Sequence, residues 1–135
     1  MRTLKELLSA DRFAAEAGVE LLEISPGYAK ARMKVTEKHL NAGGVCQGGA
    51  LFTLADLTFA AVANSREKLT LSLNANITFL RAVSEGYVYA EANEVYNHFR
   101  VPFVEVRLMD EQQLIAVMTS SGYRKNEELN VEGLE

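Results

Sequence analysis

Residues 47–64 read QGGALFTLADLTFAAVAN. Between Ala50 and Ala63 three residues are polar: Thr53, Asp56 and Thr58. A helix lying on a flat sheet keeps one polar face, and this stretch has none. It predicts a long helix from Gly48 to Asn64 enclosed by protein. The simplest enclosure is a strongly curved antiparallel sheet, with further burial at an oligomer interface. Asp56 lies two turns into this helix, where a carboxylate is costly unless it is hydrogen-bonded or used.

The flanking sequence supplies the sheet. Upstream, Leu4 to Ala17 has helical spacing, with Leu4, Leu7, Leu8 and Ala14 on one side and Gly18 as a stop. Val19 to Ser25 reads as a strand and Pro26-Gly27 as a turn. Tyr28 to Thr36 alternates, with Ala29, Ala31, Met33 and Val35 on one face. Downstream, Leu69, Leu71, Leu73, Ala75, Ile77 and Phe79 alternate with Thr70, Ser72, Asn74, Asn76 and Thr78. Strict alternation turns Ser72 away from the enclosed helix. Tyr87–Tyr96, Val101–Met109 and Leu114–Arg124 read as three further strands. The order predicts an α+β fold with an antiparallel sheet.

At 135 residues the chain has the length of one domain, read as residues 1–124. Residues 125–135 carry −3 of the net charge of −4 and show no periodicity, which predicts a frayed acidic tail. The near-neutral body lacks the basic stripe of a nucleic-acid-binding module. One cysteine excludes an internal disulfide and a Cys-rich zinc site. No apolar run is long enough to span a bilayer, and the charged N-terminal stretch does not read as a signal peptide. The expectation is a cytoplasmic protein.

Two features of the helix carry chemistry. Asp56 suits a nucleophile or general base, or a structural carboxylate hydrogen-bonded to a neighbour such as Thr53. Gly48 and Gly49 leave backbone N–H groups uncovered at the positive end of the helix dipole, where a carbonyl oxygen would be polarised. Eight residues separate Gly48 from Asp56, about 12 Å along the axis. If both act on one substrate they come from two chains, with two such helices packed antiparallel about a two-fold axis.

These residues resemble a known family. Asn41, Gln47-Gly48-Gly49 and Asp56, followed by Leu71-Ser72-Leu73, Asn76 and Phe79-Leu80, look like the motifs of the hotdog-fold acyl-CoA thioesterases, and most closely the phenylacetate-degradation (PaaI-like) subgroup. The resemblance spans roughly residues 13–124. It implies a sheet wrapped around a long helix, an acyl-CoA substrate, no metal or other cofactor, and a homodimer commonly paired into a tetramer. Asp56 would then be the catalytic carboxylate, with the Gly48 N–H of the partner chain on the thioester oxygen. Gly49 would share that helix terminus. Asn41 would place water or order its loop, and Ser72 would assist Asp56. Asn74, Phe79, Leu80, Arg81, Asn97 and Arg100 would line the coenzyme A path.

One position departs from the pattern. The family's histidine before Gly-Gly is Gln47, which can donate and accept hydrogen bonds but cannot act as acid or base. That departure keeps open a second expectation, a binding protein that retains the fold without the chemistry. A dehydratase on the same fold would want a histidine base that neither motif position supplies. Cys46 with His39 as a nucleophile pair, His98 as a base, and the Gly43-Gly44 pair as a phosphate cradle are each less well supported. No metal-ligand spacing is present, and the second glycine pair lacks the Lys-Ser/Thr of a P-loop.

Overall fold

A computed structural model describes all of residues 1–135. Helices α1 (Leu4–Ser9) and α2 (Arg12–Ala17) precede strands β1 (Val19–Ser25) and β2 (Tyr28–Val35). A single 3-10 turn at Glu37–His39 leads to α3 (Gly48–Ala63). Strands β3 (Lys68–Phe79), β4 (Gly86–Tyr96), β5 (Phe103–Met109) and β6 (Leu114–Glu128) complete the chain. The six strands form one antiparallel sheet in the order β1-β2-β4-β5-β6-β3. This is the α+β hotdog arrangement that the resemblance implies.

The sheet encloses α3 because its inner positions register into rows. Ile24, Ala29, Ala92, Val106, Met118 and Ile77 stand opposite one another across the six strands. Leu21, Ala31, Ala90, Leu108, Ala116 and Phe79 form the next row. Alanine on β2 and β4 leaves room for the helix to approach, and the larger Val106 and Leu108 of β5 and Met118 of β6 fill the remaining space. Leu51, Leu54, Phe59 and Val62 are buried against these rows. Burying one such large side chain is worth about 1.5–3 kcal/mol.

Three expectations change. The first helix is two helices. Asp11 takes an extended conformation and its Oδ1 accepts the Ala14 N–H at 3.0 Å, so it caps a new helix in mid-pattern. The tail lies against the body. β6 continues to Glu128, and Leu129 and Leu134 pack against the core. Gly133 and Leu134 carbonyls accept the Leu4 and Lys5 N–H groups at 2.8 and 2.9 Å. The tail thus satisfies two donors left open at the start of α1. The Glu135 carboxylate also accepts the Ile24 N–H at 2.5 Å.

The third change concerns β3. Its pairing with β6 shifts register between Ser72 and Asn74. Before the shift, Ser72 stands opposite Gly122, whose missing side chain would point at the ring of Phe59 on α3. Opposite residues in an antiparallel pair share a face. Thr70 and Ser72 therefore face the helix side, as do Ala75, Ile77 and Phe79 beyond the bulge. Leu71 and Leu73 point outward, 52% and 59% exposed. Strict alternation placed Thr70, Leu71, Ser72 and Leu73 the other way round, and Ala75, Ile77 and Phe79 as they are. β3 has one neighbour, so its other edge is open along most of its 12 residues.

Candidate active site

Gln47 is the N-cap of α3, with its side chain exposed and making no capping bond. The N–H groups of Ala50 and Leu51 return to the Gln47 carbonyl at 3.0 and 3.3 Å. Those of Gly48 and Gly49 have no carbonyl partner, so the helix presents two aligned donors. A side chain at either glycine would displace a neighbour. A Cβ on Gly48 would stand 2.9 Å from Cζ of Phe79, and one on Gly49 would stand 2.6 Å from Oε1 of Gln47.

The loop before the helix is held from several directions. The Gln47 N–H donates to the His39 carbonyl at 2.8 Å, and the Cys46 N–H to that of Val83 at 2.7 Å. Buried His39 accepts the Thr36 N–H on Nδ1, which leaves Nε2–H to donate to the Ala17 carbonyl at 2.6 Å. Asn41 is committed to its own loop, where Oδ1 accepts the N–H groups of Gly43 and Val45 at 2.9 and 3.2 Å. Cys46 is buried, and burial pushes its thiol up from the ordinary range, which is unsuited to a nucleophile. His98 accepts the Arg100 and Val101 N–H groups and organises a turn.

Asp56 is half-buried and makes no hydrogen bond or ion pair within the chain. Thr53, the neighbour expected to partner it, instead donates to the Gly49 carbonyl at 2.8 Å. Burial is the main cause that raises the Asp56 pKa, and the negative charge of Asp11 adds to it. Gly49, Phe52, Thr53, Asp56 and Ala60 form a half-open stripe along α3, so the helix is not enclosed on every side within one chain.

Three cavities border α3. One, of about 310 Å³, is lined by Asp56, Phe52, Thr53 and Leu57 with Asp11, Phe13 and Ala14 of the N-terminal segment. A second, also about 310 Å³, joins Gln47, Gly49 and Thr53 to Phe13 and His39. A third, about 320 Å³ and mostly apolar, holds Gly48 with Leu51, Phe79, Leu80 and Arg81. Gly48 and the segment Phe79–Arg81 are thus brought together, and Asp56 opens into a different cavity. Ser72 is exposed on the helix side of β3 and Asn74 on the other.

Asn97 and Arg100 lie beyond the opposite end of α3. Asn97 accepts from Arg124 at 2.8 Å, and Arg100 donates to the Arg124 carbonyl and to Asn126. Arg66, Lys68, Arg100, Arg124 and Lys125 share the lining of one basin there. Sequence reasoning missed this cationic group, because its members come from three separate segments. It also missed Asp11 and Phe13, whose approach to Asp56 depends on the break between α1 and α2.

Known proteins resemble this chain in sequence and in fold. Residues 43–117 match the model of the thioesterase superfamily. A putative esterase of Archaeoglobus fulgidus is 43% identical over 111 residues, covering 80% of this chain and 71% of that protein. The acyl-coenzyme A thioesterase PaaI of Escherichia coli is 28% identical over 116 residues, covering 84% of this chain and 83% of PaaI. The solved structure of that PaaI protein superposes with a TM-score of 0.88 at 25% identity, covering 93% of this chain and 92% of that one. By the family match, these relatives and the shared fold, the chain belongs to the thioesterase superfamily, in its PaaI-like branch.

Proposed function

We propose that this protein hydrolyses acyl-CoA thioesters to a free acid and coenzyme A, at sites shared between two subunits. The observation that carries the reading is Asp56. It is a half-buried carboxylate of raised pKa with no partner in its own chain, and it opens into a cavity. The name of the PaaI relative supports the substrate class.

In this reading the thioester oxygen sits on the Gly48 N–H of one subunit, which stabilises the negative charge that develops on it. Asp56 of the other subunit either takes a proton from the attacking water and passes it to the departing sulfur, or attacks the carbonyl carbon to form a mixed anhydride that water then hydrolyses to the acid, the departing thiolate taking its proton from water. The carbon–sulfur bond breaks, and coenzyme A leaves as the thiol. Gly49 completes the helix terminus. Asn41 holds the preceding loop, Gln47 orients the thioester region, and Ser72 assists Asp56 from the helix side of β3. Phe79, Leu80 and Arg81 border the pantetheine path, with Asn74 at its rim. Arg100 belongs to the basic basin that receives the coenzyme A phosphates, and Asn97 holds Arg124 of that basin in place.

The open edge of β3 supports a homodimer, because a long exposed edge with outward Leu71 and Leu73 is a template for a second strand. Pairing of dimers into a tetramer is part of the same reading. The chemistry draws on no metal or redox cofactor, and the proposed location is the cytoplasm. No helix is long and apolar enough to cross a membrane.

Gln47 favours a second reading, a non-catalytic acyl-CoA binding protein, since its exposed amide makes no bond that orders the site. Thiol release from a panel of acyl-CoA thioesters decides. Turnover by wild type that disappears in Asp56→Ala supports the hydrolase. Silence of the wild type with activity in Gln47→His supports the binding protein. Silence of both removes Asp56 from catalysis.

A further inference from the structure

Phe13 is a large apolar side chain left 76% exposed on the short helix α2. Ala14 beside it is buried, so the helix is anchored without the ring. Such exposure forgoes the stabilisation that burying a phenylalanine gives. The ring stands at a particular place. Phe13 and Thr53 are the two residues shared by the cavity that holds Asp56 and the cavity that holds Gln47 and Gly49. Thr53 belongs to the floor, and its hydroxyl is spent on the Gly49 carbonyl. Phe13 comes from the facing helix.

We propose that Phe13 is a specificity-determining residue, a partition that ends the acyl pocket beside Asp56 and so sets the length of acyl group accepted. This rests on the acyl-CoA reading above. Asp56 and Gly49 are seven residues apart, about 10 Å along α3. Asp56 and the ring line one cavity, so a short acyl group at Asp56 stays on the near side of Phe13. A chain of ten or twelve carbons must run past Phe13 toward the second cavity, at the Gly49 end of α3 that serves the dimer's other site. Removing the ring joins the two cavities into one trough along the stripe Gly49, Thr53 and Asp56. Each methylene then taken out of water adds about fourfold to binding.

The test compares wild type, Phe13→Ala and Phe13→Leu. Butyryl-CoA and dodecanoyl-CoA are used for turnover, and the butyl and dodecyl thioethers of coenzyme A, which cannot be hydrolysed, for calorimetric binding. The expected result is that Phe13→Ala raises the dodecyl-to-butyl ratio at least tenfold in both kcat/KM and affinity. Phe13→Leu should fall between, and melting temperatures should agree within a few degrees. A ratio unchanged within twofold overturns the partition, as does a failure of both thioethers to bind. If no variant releases thiol but the thioether affinity ratio shifts tenfold, the partition stands and the hydrolase reading falls. Turnover with an unmoved ratio has the opposite meaning.

Discussion

Asp11 and Asp56 share the lining of one cavity, and the charge of Asp11 opposes ionisation of Asp56. The residue that caps α2 therefore also helps to set the acidity of the proposed catalytic carboxylate. Asp11→Asn keeps a side-chain oxygen for the Ala14 N–H and removes the charge. The Asp56 pKa should fall. In the proposed mechanism Asp56 acts as the carboxylate, so the acid limb of the kcat/KM profile should move to lower pH, while the melting temperature changes little. A limb that stays in place would show that the two charges are screened from one another.

The same carboxylate has a cost in stability. A raised pKa means that the folded state holds the Asp56 proton more tightly than the unfolded state. Its contribution is fully present below the unfolded value, near 3.9, and is lost as pH rises through the higher folded value. Asp56→Asn should therefore stabilise the protein at pH 7, by about 1 kcal/mol as is common for functional-site replacements. The gain should vanish near pH 3. Chemical denaturation at the two pH values measures both.

If the site is shared, two inactive variants should rescue each other. Asp56→Ala and Gly48→Ala each damage one half. A mixture refolded together contains heterodimers with one intact site, built from Asp56 of one chain and Gly48 of the other. At random pairing the mixture should recover about a quarter of wild-type activity. No recovery, with mixed dimers confirmed by mass spectrometry, would place both groups of a site in one chain.

The two glycines should respond differently. A Cβ on Gly49 meets the free end of the exposed Gln47 side chain, which can swing away, so Gly49→Ala should alter stability by less than about 0.5 kcal/mol. A Cβ on Gly48 meets the ring of Phe79, which would be pushed into the cavity of Leu80 and Arg81. Displacing that path by about 1 Å should lower kcat/KM about 100-fold. Equal losses for both variants would count against the Phe79 contact as the cause.

Arg100 supplies a test of the coenzyme A path. Arg100→Ala should raise KM for an acyl-CoA by about tenfold and leave the matching acyl-pantetheine, which lacks the nucleotide phosphates, within twofold. The effect should shrink as salt rises. Equal effects on the two substrates would assign Arg100 to holding the Arg124 carbonyl and Asn126 alone.

Much of this was legible in the sequence. The apolar run Ala50–Ala63 announced an enclosed helix, and Ala29, Ala31, Met33 and Val35 lie on the inner face as their spacing requires. Local rules failed where a longer-range partner decided the outcome. The apolar spacing of Leu4–Ala17 runs on through Asp11, but capping outweighs periodicity there. The charged tail looked solvated, yet Leu129 and Leu134 find the core and its carbonyls find α1. Gly48 and the Phe79–Arg81 segment line one cavity, a meeting that no spacing rule announced. The approach of Phe13 to Asp56, and the assembly of the basic basin, depend on packing that no local pattern encodes.

The bulge in β3 bears on how relatives are to be aligned. A one-residue insertion in a strand normally reverses the environment of everything after it. Here the extra residue, Leu73, is where that reversal happens, and it lets Ser72 and Phe79 face the same side although seven positions separate them. A homologue one residue shorter between its counterparts of Asp56 and Phe79 is best given its gap opposite Leu73. Placed anywhere else, the gap pairs outward residues with inward ones and hides the serine position in a column of leucines.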